Sequence, residues 1–524
     1  MHHPLKLSAM RYRDSAAHSQ DGSTASIETQ HQALSMAFES DRGRVLNSAA
    51  VRRLQQKTQV FPLEKNAAVR SRLTHSLEVM QVGRHIVKTI CSTASKELSQ
   101  QYLLATSERQ LETVVEMACI LHDVGNPPFG HFGEHAISEW FNQHALAYYQ
   151  QGDPHELSAN EQALFADVSH FEGNAQAIRL VHHLMGLNLS NSLVASILKY
   201  TRCGTDPKPS KDHPLYYLQK KVGYYFSEQN AVSAIQASLN VQDLHRHPAT
   251  YIMEAADDIS YCMADLEDAV VKGIISVDQL QRALITEYAK VIKEFEIGEA
   301  AENHQAPEQA ATYSDVSVND KMTFVCARAK EAYDNEDVSK DNAFFVSFRV
   351  AIVHPLVMHA SQRFLHHIEA ITEGSFNQAL LEDRSAEHAL SLTLKNVALK
   401  HVFCVKEVET IELQGYQILH GLFDKLSVLL QLSASEFMQV CKQEKGFALA
   451  SRLVKRLDKK HLSHYIRTIE DIEKNGLVAH TKVSETDLPF STVEYYYRCR
   501  LIQDHVSGMT DQNSLDEYRL LFAV

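Results

Sequence analysis

Paired cysteines, long apolar runs, alternating β-branched segments and an excess of basic charge are scarce or missing in this chain, and each absence closes off a class of protein. The eight cysteines, at positions 91, 119, 203, 262, 326, 404, 441 and 499, form no C-x-x-C pair. That removes zinc-ribbon and dithiol readings and suits reduced thiols, with Cys119 and Cys262 inside helical apolar patterns. No apolar run approaches the roughly 20 residues needed to cross a bilayer. The opening MHHPLKLSAMRYRDSAAHSQ lacks the apolar stretch of a signal peptide. A cytoplasmic protein with no membrane partner is therefore expected. The formal net charge of −14 argues against a general nucleic-acid coat, so any polyanion site must be concentrated. No internal repeat is visible.

What the chain does have is helical periodicity. In MEAADDISYCMADLEDAV (253–270), Ile259, Met263, Leu266 and Val270 recur at spacings of three and four, the stripe of an amphipathic helix. Similar patterns fill TVVEMACILHDV (113–124), NSLVASILKY (191–200), SFRVAIVHPLVMHASQRFLHHIEAI (347–371) and LQGYQILHGLFDKLSVLLQL (413–432). An all-α architecture is predicted. Three stretches interrupt it: polar residues 8–33, the loop TRCGTDPKPSKDHP (201–214), and the acidic, Pro307-bearing stretch 294–320. The expected organisation is a loosely ordered segment (1–35), a catalytic core (36–293), a polar insertion or linker (294–320) and a C-terminal helical region (321–524) that contributes to the site and to oligomer contacts.

The chemistry is concentrated in His75, His122-Asp123 and Asp257. Two imidazoles and two carboxylates hold a divalent ion and leave positions open for water and a phosphate oxygen. Gly125-Asn126-Pro127-Pro128 ends the apolar helix just after His122 and Asp123, so both can turn toward one ion. In a chain with 29 histidines a single His-Asp pair is weak, and the surroundings carry the reading. RLTH (72–75) puts Arg72 on the helix face of His75, where it reads as a phosphate clamp. Asp257, Tyr261 and Asp265 fall at i, i+4 and i+8, which a solvated acidic face does not explain. In GNPPFGHFGEH (125–135), Glu134 is spaced to orient His131 and raise its pKa, as a general acid requires.

Long motifs across almost the whole chain, SDRGRVLNSAAVRRLQQKTQVFP (40–62), RLTHSLEV (72–79), ILHDVGNPPFGHFGE (120–134), HFEGNAQAIRL (170–180), MEAADDISY (253–261) and VSGMTD (506–511), resemble the bacterial dGTP triphosphohydrolases of the HD superfamily. The resemblance implies an all-α HD domain with helical elaborations. It implies hydrolysis of dGTP, or other dNTPs, to the deoxynucleoside and intact triphosphate, with water attacking the α-phosphorus, in control of deoxynucleotide pools. It carries His75, His122, Asp123 and Asp257 over as ligands of Mg²⁺ or Mn²⁺, and His131 with Glu134 as the catalytic pair. It also implies that Tyr261 packs on the deoxyribose, excluding a 2′-hydroxyl, while Asp265 and Gln59 hold the 3′-hydroxyl. Asn174, Lys199, Tyr200 and Lys221 match positions near the triphosphate, where Lys199, Arg202, Lys208, Lys211, Lys220 and Lys221 outnumber Asp206 and Asp212. Arg452 is expected to reach a triphosphate, from this or a neighbouring subunit, and a homohexamer is implied.

Two other readings stand beside this one. An HD phosphodiesterase or nucleotidase would hold two metals with extra histidines, whereas Asn126 occupies a place where some HD relatives have His. A nucleic-acid-responsive regulator draws on SRLVKRLDKKHLSHYIR (451–467), whose basic residues could bind single-stranded DNA as an effector.

Overall fold

A computed structural model describes residues 3–12, 27–151, 155–295, 313, 316–444, 446–477 and 488–524. The helical periods of the sequence become helices, and strands among the described residues are limited to β1 (Arg202–Cys203) and β2 (Val222–Tyr224), which pair in parallel. The principal helices are α1 (Ile27–Leu46), α2 (Arg72–Thr93), α3 (Leu104–Leu121), α4 (Gly130–Tyr149), α5 (Gly173–Arg179), α6 (Pro248–Val271), α7 (Lys340–His366), α8 (Ala386–Ala398), α9 (Lys406–Leu426), α10 (Lys459–Asn475), α11 (Phe490–Ser507) and α12 (Asp511–Phe522). Local chemistry starts those that build the site. Ser71 caps α2 in a reciprocal capping box with Thr74. Pro248 opens α6, where its missing N–H costs nothing, and the His247 ring caps it.

Among the described residues two large apolar cores form, with a small third cluster of Ala175, Val222 and Tyr225. The first joins Ile86 and Ile90 of α2, Val115 and Cys119 of α3, Ile259 and Leu266 of α6, and Phe348 and Ile352 of α7. The second joins Trp140 and Phe141 of α4, Leu419 and Phe423 of α9, and Tyr496 and Ile502 of α11. Each such side chain contributes about 1.5–3 kcal/mol by leaving water. α3 is buried along its whole second half, Gln110 to Leu121. Its buried Glu112 and Glu116 are tolerated because Arg84 and Arg42 pair with them. This central helix delivers its C-terminal end, and with it His122 and Asp123, into the interior.

Several expectations need correction. The described part of the N-terminal segment is packed: Leu5 and Leu7 are buried, Arg11 pairs with Asp41 at 2.7 Å, and α1 begins at Ile27. Its apolar residues are few but fall where the first core needs covering. Residues 13–26, and 296–312 with 314–315 of the stretch 294–320, lie outside the described residues. α7 is long and apolar enough, by length and composition, to cross a bilayer. It nevertheless buries Phe344, Phe348, Leu356 and Phe364 against the first core, as a core helix does.

Candidate active site

At the seam between the two cores lies a cavity of about 530 Å³, faced by Met253 and Val408 of the first core and Phe129 of the second. α2 brings His75 to it, the end of α3 brings His122, and α6 brings Asp257. Nε2 of His75 lies 3.2 Å, and Nε2 of His122 3.5 Å, from Asp257 Oδ1. All three donor atoms fall within 4.8 Å of one another. His122 Nδ1 donates to the Cys119 carbonyl at 2.6 Å, the tautomer that leaves the Nε2 lone pair free for a metal. Two imidazole nitrogens and a carboxylate oxygen turned to one point are a fitting donor set for a divalent cation.

Asp123 stands beside this trio, Oδ1 3.6 Å from His122 Nε2. Its two oxygens already accept hydrogen bonds, Oδ1 from Asn126 Nδ2 and Oδ2 from Arg72 Nη1, both at 2.6 Å. Burial opposes ionisation, but the Arg72 guanidinium and then His122 hold this carboxyl well below the usual range. Asp257 is likewise drawn down to about 2 against its burial, by His122 and His75. Arg72, expected as a phosphate clamp, is thus engaged with Asp123, and Asn126 holds the other side of the same carboxylate.

In the same cavity, His131 Nδ1 lies 2.8 Å from Glu134 Oε2. The hydrogen bond to Glu134 and its negative charge raise the imidazole above its ordinary value. Glu134 Oε1 accepts from the Gly173 amide at 2.8 Å, which fixes the carboxylate. A Cβ at Gly173 would stand 2.2 Å from Asn126 Oδ1 and 2.7 Å from Glu134 Oε1, so only glycine permits this approach. One residue earlier, Glu172 accepts from Asn174 at 2.7 Å and Lys221 at 3.2 Å. Sequence spacing did not single it out, although it lies within the motif HFEGNAQAIRL, two residues before Asn174.

Gln59, Arg72, His75, His122, Asp123, His131, Glu134, Asn174, Lys199, Tyr200, Lys221, Asp257 and Tyr261 all line this cavity. Gln59 Nε2 is buried with no protein partner. Lys199 is drawn in beside Glu254, 3.7 Å away. Of the basic loop, Lys199 and Lys221 alone face the cavity: Lys208 and Lys211 are exposed, Arg202 donates to backbone carbonyls, and Lys220 lies over the Tyr217 ring.

Two expected residues do not line it. Asp265 is fully buried with neither oxygen bonded, and burial pushes its carboxyl up to about 8. At 3.6 residues per turn, i+8 lies about 80° around the helix from i, so the stripe from Asp257 through Tyr261 has rotated past the cavity. Arg452 is exposed and donates to the Ala448 carbonyl, because Ala450, Leu453 and Val454 of its short helix are the residues buried in the second core.

The far wall, Leu381, Glu382, His388, Ser391, Lys395, Phe403 and Glu412, comes from α8, α9 and their flanks. Nothing in the sequence marked it, because single polar residues on amphipathic helices look solvated until a cavity is seen beside them.

Residues 72–200 match the HD domain family, which implies a divalent metal at this donor set. The chain is 45% identical over 509 residues to a deoxyguanosinetriphosphate triphosphohydrolase of Serratia proteamaculans, covering 93% of this chain and 94% of that one. It is 42% identical over 523 residues to a protein of the same name in Salmonella schwarzengrund, covering 95% of each.

Proposed function

The chain belongs to the bacterial deoxyguanosinetriphosphate triphosphohydrolases, and from that premise we propose that its cavity hydrolyses dGTP to deoxyguanosine and inorganic triphosphate. One observation carries the proposal: the metal-donor trio, the His131–Glu134 pair and the cations Lys199 and Lys221 share a single cavity. His75, His122, Asp123 and Asp257 would hold Mg²⁺ or Mn²⁺, which when bound supplies Lewis acidity to a phosphate oxygen and an ordered water.

The side chains divide the remaining work. His131, its pKa raised by the hydrogen bond to Glu134 and that carboxylate's charge, gives its Nε2 proton to the departing 5′-oxygen. Burial works against the charges of Lys199 and Lys221, but Glu254 and Glu172 respectively keep both cationic, so they hold the triphosphate with Asn174 and Tyr200. Arg72 and Asn126, which hydrogen-bond the two oxygens of Asp123, would orient it as a ligand. The unpartnered Gln59 amide is a donor for the 3′-hydroxyl, and Tyr261 closes the space a 2′-hydroxyl would need. The base faces the wall from α8 and α9, where Lys395, Ser391 and Glu412 offer donors and acceptors. Assembly into a homohexamer belongs to the same proposal, supported by the exposed Val346 and Val350 on α7. So does a single-stranded DNA effector, supported by the exposed Lys455, Lys459, Lys460 and Arg467 around α10.

The test is a panel of dGTP, dATP, dCTP, dTTP and GTP with Mg²⁺ or Mn²⁺, read as kcat/KM and as products on anion exchange. Deoxyguanosine and triphosphate, with dGTP preferred and GTP rejected, are expected. Release of monophosphate and pyrophosphate, or equal use of GTP, would reverse the reading.

A further inference from the structure

The turn that carries His131 has an unfavourable backbone. Phe129 sits at φ +62°, ψ 20°, left-handed space that a bulky residue rarely enters, and Gly130 follows at φ +61°. Phe129 is buried and its amide precedes α4 with no side-chain cap, so this N–H requires an acceptor from elsewhere. The acceptor comes from the far end of the chain: Asp511 Oδ1, at the first residue of α12, lies 3.1 Å away. Its other oxygen accepts from Thr58 twice, from N at 3.1 Å and Oγ1 at 3.0 Å, immediately before Gln59. One buried carboxylate thus joins the turn before His131 to the strand-like segment before Gln59.

The Phe129 ring is held from a third direction. A Cβ at Gly415 of α9 would stand 2.4 Å from its Cγ, so the ring occupies a notch that exists only because residue 415 is glycine. Lys57 Nζ adds a further tie, donating to the Asn126 carbonyl at 2.5 Å and the Ser507 carbonyl at 3.0 Å.

We infer that Asp511 is a positioning residue for the reaction: with the Gly415 notch it fixes the left-handed Phe129 turn, and through that turn the placement of His131 two residues on. This rests on the functional reading above. Displacing a catalytic group by about 1 Å can cost 10²-fold in rate while leaving substrate contacts elsewhere intact.

The experiment compares wild type, Asp511→Ala, Asp511→Asn and Gly415→Ala in dGTP hydrolysis, with folded fraction measured by circular dichroism. Asp511→Ala and Gly415→Ala should each lower kcat per folded molecule by about 10- to 100-fold and leave KM within about threefold, with Asp511→Asn intermediate. Because both variants disturb one joint, the Asp511→Asn/Gly415→Ala double variant should lose less than the product of the single effects. A purely structural role gives a lower folded fraction with normal kcat per folded molecule, and that result, or a change confined to KM, overturns the inference. If Asp511→Ala does not fold, Asp511→Asn and Gly415→Ala decide by the same criterion. A wild type that makes no triphosphate fails the functional reading; an active wild type beside unaffected variants fails this inference alone.

Discussion

The proposed acid, His131, lies 2.8 Å from the Glu134 carboxylate, which raises its pKa, and that makes the proposed acid step testable by titration. A general acid works while protonated, so activity falls as pH rises through its pKa. Glu134 raises that pKa; Glu134→Gln removes the charge and should move the alkaline limb of the kcat/KM profile to lower pH. An unmoved limb would assign it to another group. His131→Ala should keep metal content and nucleotide affinity while losing about 10²-fold in kcat, and near-normal turnover would reassign the acid. Tyr261→Ala should raise the ratio of GTP to dGTP turnover, whereas an unchanged ratio would place the sugar filter elsewhere. At this scale the residues legible in the sequence are those set by spacing within one element, such as His131 with Glu134. Asp123's partner Asn126 and the Glu172 bridge were not, because each depends on a turn geometry that spacing does not specify. Asp265 differs from the other expected residues in lying outside the cavity lining, at the end of a periodic stripe that turns away from the arc facing the cavity.

Among the elements, α5 and α11 are joined by a buried ion pair. Arg179 reaches Asp504 at 2.7 Å and Glu228 at 3.0 Å, with all three groups buried. Arg179→Ala would leave the buried Asp504 without its cation and Glu228 with His183 alone, and a loss of about 3–5 kcal/mol in urea-unfolding stability is expected. A loss under about 1 kcal/mol would mean that water replaces the guanidinium. α11 also shows why some helices escape a sequence reading. FSTVEYYYRCRLIQDHVS is buried from Thr492 to Gln503 with no polar face, because Arg498 pairs with Glu494 and Arg500 with Asp167. Amphipathic helices such as α6 and α9 were legible because one face meets solvent or the cavity. A helix buried on every side, its charges paired along itself and with residues distant in sequence, carries no period to read.

The whole molecule encloses its site between two cores, to which both halves of the chain contribute: α7 completes the first core, while α9 and α11 build the second around Trp140. Helix content and class were legible, since composition and period suffice for them. The pairing of Asp511 with Phe129 across the chain was not, since it is a property of the assembled fold. The same burial sets the acid stability. The buried His247 is held neutral, its pKa lowered by burial from 6.5 to about 4, and His505 is similarly lowered to about 4. The unfolded chain takes up these protons first, so stability is full above pH 6.5 and falls as pH drops toward 4. A fully buried site such as His247 loses about 1.4 kcal/mol per pH unit across that window. Glu228, drawn down to about 2 against its burial by Arg179, adds a further loss between its unfolded value near 4.5 and about 2. Urea midpoints should therefore decline already from pH 6.5 to 5.5, and a flat profile down to pH 4.5 would contradict this assignment.

The central claim, hydrolysis between the nucleoside and an intact triphosphate, is tested most directly by turning over dGTP in H₂¹⁸O and weighing both products. Attack at the α-phosphorus puts one ¹⁸O into triphosphate and none into deoxyguanosine, which is the result this account predicts. Labelled deoxyguanosine would show attack at the 5′-carbon. Either that label or dGMP with pyrophosphate would contradict the account.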